Sequence, residues 1–153
     1  MKRTITTIAA LVLALVLTPA TANADSDELH PDVEYALEAL PGGFAVNDTT
    51  AVWPALGMIL EAGSESASLR AVGSCATGTY CAYASPNLQG SKLTFTICTT
   101  VSTAALQSVG SIANGRSFGS VRARNSSGTT LATAGANGSA NVGAGTTNLL
   151  CTL

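Results

Sequence analysis

The spacing of hydrophobic and polar positions changes several times along this chain, and each change marks an element. At the start, Lys2 and Arg3 precede an apolar run from Ile5 through Leu17, followed by Pro19 and the small-residue triplet Ala22-Asn23-Ala24. The run is shorter than the ~20 residues a spanning helix needs, and a small-x-small triplet suits signal peptidase. The pattern therefore predicts a signal peptide over 1–24, cleaved between Ala24 and Asp25, and a secreted, extracellular chain with no membrane segment after its removal.

A helical period follows. Val33, Leu37 and Leu40 fall at i, i+4 and i+7, so they share one face of a helix. Pro31-Asp32-Val33-Glu34 supplies a first-turn proline and carboxylates at the positive end of the helix dipole, and Pro41-Gly42-Gly43 stops the helix. Two short apolar runs, Phe44-Ala45-Val46 and Ala51-Val52-Trp53, then flank Asn47-Asp48 and read as a hairpin, with Met58-Ile59-Leu60 as a further strand. The stretch from Ala62 to Ser68 is rich in Gly, Ser and Ala and reads as a linker.

From Cys75 onward the period is that of β-structure. Thr79-Tyr80-Cys81-Ala82-Tyr83 is rich in strand formers, and Leu93-Thr94-Phe95-Thr96-Ile97 alternates so that Leu93, Phe95 and Ile97 share a face. Val121 and Ala123 oppose Ser120, Arg122 and Arg124, and the phase breaks before Phe118, which predicts a bulge near Gly119. Asn125-Ser126-Ser127-Gly128 is a turn and Thr129 to Thr133 a strand. Asn137-Gly138 is a hairpin signal, and Asn148 to Cys151 is a last strand. Short strands separated by frequent turns predict an all-β sandwich or Greek-key arrangement.

Charge divides the chain at the same place. All nine acidic residues lie before Cys75, and residues 25–74 carry a formal charge of −8 with Arg70 counted. Residues 75–153 hold Lys92, Arg116, Arg122 and Arg124 and no acid, a formal +4. The expected organisation is a signal peptide over 1–24, an acidic leader or propeptide over 25–74, and a cysteine-bearing module over 75–153. The leader would either cover the basic module until proteolysis or pack on it permanently.

A module of this size buries a limited core, with Tyr80, Tyr83, Phe95 and Phe118 as its aromatics, so covalent staples matter. Four cysteines allow three pairings. The favoured one joins Cys75 to Cys81 around a tight turn and Cys98 to Cys151 across the module. Loop-closure entropy assigns these bridges ~2 and ~4 kcal/mol. A four-cysteine zinc site fits neither the spacing nor an oxidising compartment.

With no Asp, Glu or His from Cys75 onward, the module lacks the groups for paired-carboxylate, Ser-His-Asp or Cys-His chemistry, and catalysis is not expected. The chain's one histidine, His30, sits near a helix start and reads as a surface residue. No phosphate-binding fingerprint is present, and Gly135 to Gly145 reads as loop. Arg116, Arg122 and Arg124 lack interleaved aromatics and read as a solvated strand face, so no nucleic-acid partner is expected. No cofactor or metal is expected either, because a carboxylate-free calcium site would be weak.

Ser74-Cys75-Ala76-Thr77-Gly78-Thr79-Tyr80-Cys81-Ala82-Tyr83, continuing to Asn87-Leu88-Gln89-Gly90, resembles the C-x-x-G-x-x-C-x-Y opening and the glycine corner of the Streptomyces metalloproteinase inhibitor family. Ser111-Ile112-Ala113-Asn114-Gly115-Arg116-Ser117-Phe118, with Val121-Arg122 after it, is similar to that family's second landmark. The likeness covers the C-terminal half, and the leader is similar to the extension of longer members. It implies a βγ-crystallin-like double Greek key in which Tyr83 is the corner aromatic and Gly90 the turn glycine with φ > 0. It also implies inhibition of an extracellular thermolysin-like protease by substrate-like loop binding; separately from the resemblance, a monomer is expected. The chain departs from the family in two respects. The region near Thr130 to Ala134 has no cysteine where the prototype's reactive loop is stapled, so the reactive bond is unknown, and Asn114-Gly115 with Gly119-Ser120 carries only part of the fold's calcium signature. A non-inhibitory wall-associated or toxin-like binding module is the alternative function.

Overall fold

The computed structural model describes residues 28–63 and 72–153; the expected signal peptide, its cleavage point at Ala24 and Asp25, and most of the expected linker lie outside them. The described chain is one α-helix and eleven strands in two antiparallel sheets. Helix α1 (Pro31–Ala39) begins where His30 Nδ1 accepts the Asp32 backbone N–H at 3.2 Å, an imidazole acting as N-cap. Val33 and Ala36 are its buried positions, and Leu37 and Leu40 pack beside them.

Strands β1 (Phe44–Asn47), β2 (Thr50–Trp53) and β3 (Met58–Glu61) form a meander. Trp53 locks it to the helix, its indole N–H donating to the Leu40 carbonyl at 2.8 Å. Strand β3 then pairs with β5 (Gln89–Phe95), Met58 opposite Phe95 and Leu60 opposite Leu93. The acidic leader thus supplies three strands to the module's own sheet. Glu61 and Lys92 meet across that seam at 2.7 Å, and the Ser91 hydroxyl donates to the Asp32 carboxylate.

The remaining strands are β4 (Tyr80–Ser85), β6 (Thr100–Ser102), β7 (Ser111–Asn114), β8 (Ser120–Arg124), β9 (Thr130–Gly135), β10 (Gly138–Asn141) and β11 (Asn148–Thr152). One sheet runs β1-β2-β3-β5-β4-β7-β10 and the other β6-β11-β8-β9. The segments β4–β7 and β8–β11 are each a four-strand unit whose third strand crosses over: β6 joins β11 and β10 joins β7. The inner faces share one core containing Trp53, Leu60, Leu93, Phe95, Ile112, Val121 and Leu149. Tyr80 stacks on Phe95 with ring centroids 5.1 Å apart. On the outer face, Cys75, Cys81, Tyr83 and Ala113 form a second, small cluster with Val72 and Leu88 packed against it.

Four expectations from the sequence are corrected here. The alternation through Ile97 stops at Phe95: Tyr80 Oη donates to the carbonyls of Ile97 and Thr99, the chain turns toward Cys98, and Ile97 is 50% exposed. Phe118 is not core; it is 54% exposed, with the Arg116 guanidinium 4.5 Å from its ring centroid. Asn137-Gly138 makes a turn but no hairpin, because Asn137 N–H bonds the Arg116 carbonyl and Gly138 pairs with Asn114, carrying β10 away from β9. Gly119 lies in the turn before β8 with φ of +71°, and the irregular register falls instead between Ala123 and Arg124.

Candidate contact surface

Both disulfides brace the module. Cys75–Cys81 closes the segment leading into β4, and Cys98–Cys151 ties the β5–β6 connection to β11. They fit an oxidising, extracellular environment. No helix among the described residues is long and apolar enough to cross a membrane. Tyr83 is buried, and its hydroxyl bonds that of Ser74 at 3.2 Å. Gly90 has φ of +76° where β5 leaves its turn. Asn114 is buried on the inner side, its Nδ2 donating to the Gly119 carbonyl and its Oδ1 accepting the Arg116 N–H. Beside it, a Cβ on Gly115 would stand 2.4 Å from the Ala76 carbonyl oxygen, so backbone fills the space a side chain would need. These residues brace the fold from within and present little to solvent.

The β8–β9 hairpin ends in an exposed turn braced by its own hydrogen bonds. Asn125 closes its tip by accepting the Gly128 N–H on its carbonyl, while its own N–H donates to the Thr129 carbonyl, both at 3.0 Å. Its Oδ1 accepts from Thr129 N and from Ser127 Oγ, each at 2.8 Å. Arg124 Nε donates to the Gly128 carbonyl at 2.9 Å, and Thr147 N bonds the Arg124 carbonyl from the β11 side. Ser126, Ser127, Thr129 and Thr130 are exposed on this braced turn. Strand β9 pairs only with β8, so its far edge offers backbone donors and acceptors to an extended chain. The region near Thr130 to Ala134, which has no cysteine, is this edge strand.

Comparison of the chain with protein-family models, curated proteins and solved structures finds no match.

A second polar group gathers at the leader. Asp32, Tyr35, Ser85, Ser91 and Gln107 line an open cleft of about 180 Å³ between α1 and the loop before β7. Serine, carboxylate and imidazole stand near one another. The Ser91 hydroxyl donates a hydrogen bond to the Asp32 carboxylate, and His30 Nδ1 accepts from the Asp32 backbone N–H while standing 4.0 Å from the carboxylate. The carboxylate that accepts from Ser91 latches α1 to β5. No cluster of three His, Cys, Asp or Glu side chains able to hold a metal occurs among the described residues.

Of the three arginines read as one solvated face, Arg122 is exposed and Arg124 braces the hairpin, whereas Arg116 is buried. The lack of acid after Cys75 was the one available sequence sign that a buried arginine there would have no carboxylate of its own module to pair with. Burial raises the Tyr80 and Tyr83 hydroxyl pKa above the ordinary tyrosine value, outweighing the hydrogen bonds that oppose it at Thr99 and Ser74.

Proposed function

We propose that this chain is a secreted binding protein that inhibits thermolysin-like metalloproteinases, built on a double Greek key of the βγ-crystallin type. The exchange of β6 and β10 between the two four-strand units supports that fold. The observation that carries the function is the braced β8–β9 hairpin, an exposed turn whose shape is fixed by hydrogen bonds before any partner arrives. Such a turn, continued by the free edge of β9, lies along a protease cleft as a substrate would. Fixing it in advance saves about 0.5–1.5 kcal/mol for each side chain that would otherwise have to be immobilised. No residue of the inhibitor needs to react.

The test is peptide hydrolysis by thermolysin in the presence of residues 25–153, oxidised and in micromolar excess. Inhibition is expected, and Asn125→Ala, which removes the acceptor of two bracing bonds, is expected to weaken it about tenfold or more, equivalent to ~1–3 kcal/mol. Undiminished hydrolysis at that excess removes the inhibitory reading. It would leave the alternative of a non-inhibitory extracellular binding module, which the absence of cysteine between Thr130 and Ala134 favours.

A further inference from the structure

Arg116 is 8% exposed and has no carboxylate partner among the described residues. Its Nη1 stands 2.7 Å from Cys151 Sγ, a sulfur of the Cys98–Cys151 disulfide, and its guanidinium lies over Phe118. The backbone holds it there, Arg116 N–H donating to Asn114 Oδ1 and its carbonyl accepting from Asn137. A disulfide sulfur is a weak acceptor and carries no charge, so the cation is only partly compensated while the bridge is closed. A thiolate at Cys151 would compensate it fully.

The two bridges differ in surroundings. Cys75 and Cys81 are fully buried, and the contacts of their sulfurs are the hydroxyls of Thr79 and Thr94 and the Ala113 carbonyl. In the other bridge Cys151 is buried beside the guanidinium, while Cys98 is partly exposed on the segment between β5 and β6. Tyr80 holds that segment by donating to the carbonyls on either side of Cys98.

We infer that Cys98–Cys151 is an exchange-active disulfide and that Cys98 is a site of thiolation by a low-molecular-weight thiol. The incoming thiolate sulfur bonds to Cys98 Sγ, the Cys98–Cys151 bond breaks, and its electron pair stays on Cys151 Sγ. Cys151 leaves as a thiolate facing Arg116, so no proton has to be supplied. Exchange is faster when the leaving thiol has a low pKa, and an adjacent guanidinium lowers it. Arg116 acts here as a positioning residue that selects which sulfur leaves. Opening the bridge removes the covalent tie between the β5–β6 connection and β11, whose backbone hydrogen bonds to β6 and Thr99 do not depend on it, and leaves Cys75–Cys81 closed. The inference does not depend on the identity of any target protease.

The test treats the oxidised chain, residues 25–153, with reduced glutathione, quenches with an alkylating agent and maps both bridges by mass spectrometry over time. The readout is the ratio of the two opening rates, which controls for any general loosening of the fold. The Cys98–Cys151 bridge is expected to open more than tenfold faster, with glutathione carried on Cys98. Removing the cation beside the leaving sulfur, Arg116→Gln is expected to cut the ratio about tenfold. Arg116→Lys, which keeps a cation, is expected to retain most of it. A ratio near one, glutathione on Cys151, or a ratio unchanged by Arg116→Gln would each overturn the inference.

Discussion

Gly119 packs directly against the end of β11: its φ is +71°, and a Cβ there would stand 2.1 Å from the Thr152 carbonyl oxygen. Gly119→Ala must therefore adopt left-handed backbone and push β11 away. It is expected to cost ~2 kcal/mol or more in denaturant unfolding, whereas Gly143→Ala, with open space around it, should be near neutral. The buried phenols of Tyr80 and Tyr83 make a pH prediction. Their folded pKa values lie above the unfolded value near 10, so the native state holds protons that the unfolded chain releases. The contribution is fully present below about pH 10 and is lost as pH rises toward the folded values. Unfolding free energy followed by denaturant titration should decline above pH 10, and the decline should be shallower in a Tyr80→Phe, Tyr83→Phe double variant.

At the scale of elements, the seam between β3 and β5 decides how the acidic leader behaves. Lys92 has a side chain 7% exposed and two partners, Glu61 and the Ser74 carbonyl, so Glu61→Gln removes the carboxylate paired with it. A loss of about 1 kcal/mol is expected from thermal or denaturant melts, limited by the solvent that reaches Glu61. Which elements could be read in advance follows from where their information lies. Helix α1, the meander and β8 carry periodic patterns, and the Asn125 turn is closed by its own neighbours, so each is local. Strand β7 is buried on both faces and shows no alternation, and β6 is only three residues long. The sheet change after Asn137 depends on an Arg116 carbonyl far away in sequence. Arg116 lies outside the alternation that turns Arg122 outward, so no periodic pattern marks which way its side chain points.

At the scale of the molecule, charge contrast and fold do not divide the chain at the same place. The acidic residues end before Cys75, yet Trp53, Met58 and Leu60 from that half are buried in the same core as Phe95 and Ile112. Each such side chain contributes ~1.5–3 kcal/mol on burial. A chain of residues 72–153 alone would expose the β5 edge together with Leu93 and Phe95, and is expected to unfold or associate in a sedimentation experiment at concentrations where residues 25–153 do neither. We propose that the acidic and basic parts leave the cell together as one disulfide-closed fold. The most direct measurement is the N-terminal sequence and intact mass of the protein recovered outside the cell. A chain from Asp25 to Leu153 lighter than its reduced form by the four hydrogens of two disulfides is the result expected. A species beginning after residue 63, or one with free thiols, would contradict the claim.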